Sequence, residues 1–156
     1  MKFISTILLT ALLSVSTLAL AAGGESPSNF KPEDSVMKAS RAAIANKDWG
    51  GAQQILKAAL ASNPNNADYH NLYAYSTRKG ANPDMALVFK HYEEALRIDP
   101  KHRDAHEYIG EAYLMVNQPS KAKEHLAVLD KLCFLPCEEY TDLKKAVAQY
   151  EASHKP

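Results

Sequence analysis

The chain has 156 residues, with 18 basic and 18 acidic side chains and a formal charge of zero at pH 7. A neutral surface of mixed sign gives no electrostatic case for nucleic acid or an anionic membrane as partner, since both are held mainly by excess positive charge. The length fits one domain with a modest core.

The chain opens with Met1-Lys2 and an apolar run from Phe3 to Leu20 interrupted only by Ser and Thr. Small residues then fall at Ala19-Leu20-Ala21. This pattern predicts a secretory signal peptide over 1–21, cut after Ala21 or, as the second choice, after Ala22. No cysteine follows the run, which argues against a lipid anchor. Its six hydroxyl side chains make it a poor membrane span, so an uncleaved anchor is the weaker reading. A periplasmic or secreted location is expected, with no membrane insertion once the leader is removed.

Residues 22–32 carry Gly, Ser and Pro without periodicity and read as a flexible lead-in. From Glu33 onward the apolar spacing is helical, and no run of alternating β-branched residues suggests a strand. Asn46-Lys47-Asp48, Asn63 to Asn66, Lys79 to Pro83, Asp99-Pro100-Lys101 and Asn117 to Ser120 break the helical segments. Asn82 before Pro83 predicts an N-cap with proline in the first turn, and Gly80 predicts a left-handed stop. A last helix over about 138–152 places Tyr140, Leu143, Val147 and Tyr150 on one face.

The segments share a register. From Ser40, the residues Ala43, Ala52, Leu56, Ala59 and Pro64 follow. From Gly110, the residues Tyr113, Ala122, Leu126 and Leu129 follow at the same offsets, with Phe134 in the place of the proline. From Tyr73, the set Ser76, Val88, Tyr92, Ala95 and Pro100 follows with three residues added between its helices. Small residues in step let paired helices approach closely, and large ones beside them bury against the next hairpin. A single hairpin cannot cover its apolar face, so the units must stack.

This pattern resembles the tetratricopeptide repeat. The family's small positions fall on Ser40, Ala52, Ala59, Gly110 and Ala122, and its inter-unit proline on Pro64 and Pro100. The stretches HYEEALRIDP and HEYIGEAYLMVNQPSKAKEHL are close to the family's usual wording. The second unit departs from it with Tyr73 in the glycine position, and the third lacks its closing proline. The resemblance implies an all-α solenoid of about three hairpins (repeats about 33–64, 66–100 and 103–134) and a capping helix, within a domain over 33–152. It also implies a non-enzymatic protein-interaction module, here in the bacterial envelope, that holds a peptide or partner protein in its inner groove.

In such an architecture the first helix of each hairpin lines the inner curve. Helical spacing then places Met37, Arg41 and Ile44 there from unit one, and His70, Asn71, Ala74 and Arg78 from unit two. Asp104, Glu107, Glu111 and Leu114 come from unit three. The result is a groove of mixed sign, suited to an extended peptide or helix with charge asymmetry. Some family members clamp a C-terminal carboxylate with Lys, Asn and Arg. Of those positions only Asn71 agrees here, and Asp104 stands where a Lys would, so that mode is not expected.

Cys133 and Cys137 in KLCFLPCEEY are the only cysteines. In an oxidising compartment an even count signals first a disulfide, and Pro136 makes the chain turn between them. The alternatives are a reversible redox pair, free thiols, or a copper or zinc site completed by His125 or Met115. A thiol-based metal or redox helper is therefore the second reading of function. His102 and His106 read as cap or surface histidines, Trp49 as a core residue, and Glu107 with Glu111 as a solvated groove wall. No phosphate loop, nucleophile elbow or zinc-protease motif is present, and neither metal nor cofactor is expected.

Overall fold

The computed structural model describes residues 34–154, so the leader expected over 1–21 and the lead-in over 22–32 lie outside the described residues. Seven helices follow one another: α1 (Ser35–Ala45), α2 (Trp49–Ser62), α3 (Ala67–Lys79), α4 (Met85–Ile98), α5 (Arg103–Met115), α6 (Pro119–Leu132) and α7 (Glu138–Ser153). No strand occurs among the described residues. Each helix packs on the next in order, and each odd-numbered helix also touches the following odd one. The arrangement is an α-solenoid of three hairpins, with α7 laid against both α5 and α6 as an end cap.

Local chemistry fixes the helix starts. Asp48, Asn66 and Asp84 accept hydrogen bonds from the backbone N–H of Gly51, Tyr69 and Leu87 at 2.9, 3.1 and 3.1 Å, satisfying donors that a first turn leaves open. The cap of α4 is thus Asp84, not Asn82, because the helix begins two residues beyond Pro83. Gly80 ends α3 in an extended conformation (φ −66°, ψ 167°), not a left-handed one. The left-handed residues are Lys47 (φ 57°) and Asn117 (φ 58°), which occupy the same place in units one and three. Each sits in a Schellman turn. Asp48 N–H donates to Ala43 O and Lys47 N–H to Ile44 O, and Gln118 and Asn117 repeat this to Tyr113 O and Leu114 O.

The structure also corrects the register of the second unit. Ala74, not Tyr73, stands at the small-residue position, seven residues beyond the start of α3 as Gly110 is beyond the start of α5. Ser40, Ala74 and Gly110 are all buried, whereas Tyr73 is half-exposed. The turn of unit two is then longer than those of the others by two residues, not three. A one-residue slip along a helix rotates every side chain by about 100°, so the correction decides which residues of α3 face the groove.

Gly110 is where the cap meets the stack. A Cβ there would lie 2.7 Å from both Leu143 Cδ1 and Cδ2, and Leu143 is fully buried. Alanine normally gains about 1 kcal/mol over glycine inside a helix. Overpacking costs roughly 1–3 kcal/mol where nothing can give. We expect Gly110→Ala to lose roughly 1–2 kcal/mol in denaturant unfolding, and Leu143→Ala in the same chain to remove the penalty. A Gly110→Ala protein more stable than the parent would mean α5 and α7 are less closely packed than this.

Candidate functional site

The odd helices present one continuous face. Near its middle, Arg41, Ile44 and Ala45 of α1, Leu72 and Tyr75 of α3, and Asp104 and Tyr108 of α5 line a depression of about 260 Å³. Aromatic rings gather along it. Trp49 meets Tyr75 edge-on at 6.2 Å, and Tyr75 meets Tyr108 at 4.7 Å. Trp49 is therefore half-buried beside this face and not deep in the core.

Arg78 anchors the next stretch. It is 6% exposed, donates from Nη2 to Glu111 Oε2 at 2.6 Å and from Nε to the Tyr92 hydroxyl at 3.3 Å, and lies within 6 Å of the Tyr75 and Tyr108 ring centres. Burial works against the guanidinium charge, but the Tyr92 and Glu111 oxygens outweigh it, and its pKa stays raised. Beyond it Lys79, Leu114, Met115 and Tyr150 line a wider hollow of about 620 Å³ that reaches α7.

A third hollow, of about 260 Å³, lies between the first turns of α5 and α7. It is walled by Asp104, Glu107, Tyr108, Glu138, Glu139 and Asp142. The solvated wall expected at Glu107 is not there. The residue is largely buried, and burial followed by the charges of Glu111, Asp142, Asp104 and Glu139 pushes its pKa up to about 8.

Arg41, Ile44, Arg78, Glu107, Glu111, Asp104 and Leu114 thus line hollows on the odd-helix face. Four others do not. Met37 packs in the first core with Ala52, Leu56 and Tyr69, Asn71 is 1% exposed and Ala74 wholly buried. His70 turns toward α4 instead. Leu72, Tyr75 and Tyr108 went unpredicted. The corrected register would have found Tyr75, since it makes this residue the counterpart of Arg41.

A second device recurs in units two and three. His70 Nε2 lies 2.8 Å from Pro64 O and its Nδ1 2.7 Å from His91 Nδ1. His106 repeats this with Pro100 O at 3.1 Å and His125 Nδ1 at 2.9 Å. A carbonyl only accepts, so Nε2 of the α3 and α5 histidines carries the proton and their Nδ1 accepts from the Nδ1–H of the α4 and α6 partners. Burial first, then the facing histidine, lowers the pKa of His91 and of His125 to about 4. His102 plays a different part. It caps α5, accepting from Ala105 N–H at 3.3 Å, and its Nε2 lies 3.2 Å from Asp68 Oδ1.

Cys133 and Cys137 are joined by a disulfide. Closing so short a loop stabilises by roughly 2 kcal/mol in the chain-entropy model, pinning the link between α6 and the cap. Among the described residues only Glu139 joins the two sulfurs within common ligand reach. His125 is engaged with His106, and Met115 Sδ lies 3.9 Å from Arg78 Nη1. Phe134 and Leu135, between the cysteines, point into solvent.

Comparison with known proteins gives the fold alone. No family model and no curated protein matches the chain. Solved structures with the same fold include a thermophilic TPR protein of Thermus thermophilus, with a TM-score of 0.63 and 16% identity over 79% of this chain. They also include a CopN–Scc3 complex, with a TM-score of 0.58 and 17% identity over 73% of this chain. The matches span 66% and 65% of those two chains. Among the described residues no helix is long and apolar enough to cross a membrane.

Proposed function

We propose that this tetratricopeptide-type stack is a non-enzymatic adaptor of the bacterial envelope that holds a peptide or partner protein along its odd-helix face. The observation that carries the reading is the run of hollows on that face, to which three successive hairpins contribute. Apolar and aromatic groups supply contact area in the middle hollow, and Arg41 and Asp104 lie on opposite flanks of it, which suits a ligand of asymmetric charge. The fold supports a protein partner, since a stack of hairpins leaves backbone-rigid helices with one face uncovered. The envelope location rests on the leader pattern and on a disulfide of the kind that persists in oxidising compartments.

Arg41 is exposed and has no structural duty in the core. Arg41→Glu is therefore expected to weaken partner capture, measured by quantitative crosslinking from a native envelope preparation, at least tenfold, a change of about 1.4 kcal/mol. Its thermal midpoint should stay where the parent's is. Unchanged capture would remove the odd-helix face as the binding surface.

A further inference from the structure

The acidic hollow between α5 and α7 contains a group that the fold itself does not explain. Asp104, Glu138 and Glu139 sit in the first turns of their helices, where exposed N–H groups favour negative charge, and Arg103 Nε lies 3.4 Å from Glu139 Oε1. These three need no ligand. Glu107 is different. It stands one turn further along α5, is 8% exposed and faces the hollow, and among the described residues its carboxylate has neither a hydrogen-bond donor nor an ion-pair partner. A carboxyl group on a largely buried side chain, without a partner and among four like neighbours, is costly to keep and stabilises nothing. Asp142, one turn into α7, faces the same space.

From the unpartnered carboxylate of the Glu107 side chain, which is 8% exposed and lines this hollow, we infer a subsite for the side chain of a lysine or arginine of the bound partner. The inference rests on the odd-helix face being the binding surface. No three of these carboxylates bring an oxygen within 4.8 Å of one another, so they do not preform a chelate for a metal ion. An ammonium or guanidinium, with several N–H donors spread over a wider space, matches them better. Its alkyl stem has a path in, because Asp104 and Tyr108 line both this hollow and the apolar one containing Ile44, Leu72 and Tyr75. The stem lies along the Tyr108 ring and the charge ends beside Glu107, while the neighbouring partner residue enters the apolar hollow. That shared wall is the reason to assign a partner side chain and not a free amine.

The test uses the blocked peptide acetyl-Leu-Gly-Lys-amide, its norleucine twin, cadaverine and calcium chloride, titrated separately into the processed protein at pH 7 and low salt. Backbone and side-chain carboxyl resonances are followed by NMR. The lysine peptide should shift Asp104, Glu107 and Asp142 saturably and move the Glu107 carboxyl carbon to its ionised position. The norleucine twin should bind at least tenfold more weakly, and Glu107→Gln should cost the lysine peptide at least tenfold. Equal binding of the twin, an unaffected Glu107→Gln protein, or no saturable shift overturns the subsite. Cadaverine or calcium binding as tightly as the peptide overturns it too, by showing a small-cation site. Failure here with the Arg41→Glu effect intact removes this subsite and leaves the groove; loss of both removes the groove.

Discussion

Glu107→Gln is expected to stabilise the protein, and to do so only at neutral and alkaline pH. The carboxyl pKa is pushed up to about 8 in the fold against 4.5 when free, so between those values the native chain holds a proton that the unfolded chain has released. Stability therefore falls as pH rises from 4.5 and is lowest, on this account, above 8. One pKa unit corresponds to about 1.4 kcal/mol, which sets a ceiling near 5 kcal/mol, and relaxation of the neighbours brings the expected gain to roughly 2–4 kcal/mol at pH 8. Glutamine keeps the shape and removes the charge. Urea unfolding of both proteins at pH 4.5 and pH 8 checks it: the two should coincide at the lower pH and separate at the higher. An equal gain at both would mean that glutamine acts through something other than charge, and a gain below about 0.5 kcal/mol at pH 8 would mean a well-solvated carboxylate. A side chain that lowers stability at working pH while serving no packing role is what a binding site retains for its ligand.

Glu107 also shows where sequence reasoning stops. Its place on the inner side of α5 follows from helical spacing, as do the hairpin order, the cap and the cysteine bridge, because small residues, prolines and turn residues act locally and leave a periodic trace. Burial of Glu107 does not follow from spacing. It depends on α7 folding back over α5 through the Gly110–Leu143 contact, which brings Asp142 and Glu139 from across a turn. The slip at Tyr73 has another origin. Tyr73 and Ala74 are adjacent and both bear on packing, and the longer turn before Asp84 hides one residue of offset, so only the burial of Ala74 decides between them. The repeated distance from Pro64 to His70 and from Pro100 to His106 was the available signal, since six residues separate each pair.

Those histidines carry the other large effect, an acid limb in stability. Each pair spans its hairpin, α3 to α4 or α5 to α6, and burial and the facing ring oppose a charge on His91 and His125 there. Their pKa of about 4 in the fold lies below the ordinary 6.5, so stability is full above 6.5 and is lost as pH falls from there toward 4. Two and a half units would give about 3.4 kcal/mol for each pair; partial solvent access reduces this to roughly 2 kcal/mol, or about 4 kcal/mol together, a large share of a typical domain's stability. Over the same range the unfolded chain regains the Glu107 proton that the native chain already holds, which works in the opposite direction, so the limb emerges cleanly only in Glu107→Gln. His102 does not contribute to it. Burial opposes its charge, but Asp68 outweighs burial and raises its pKa, so its stabilising share is present below 6.5 and lost on the alkaline side. Glutamine at 91 and 125 keeps an N–H to donate to His70 and His106 but does not titrate. The triple variant Glu107→Gln/His91→Gln/His125→Gln should therefore decline less from pH 6.5 to 4.5 than Glu107→Gln alone, the remainder of the limb coming from His106, whose pKa burial also lowers. Parallel declines would assign the acid sensitivity to other groups and leave the two pairs as uncharged struts between their helices.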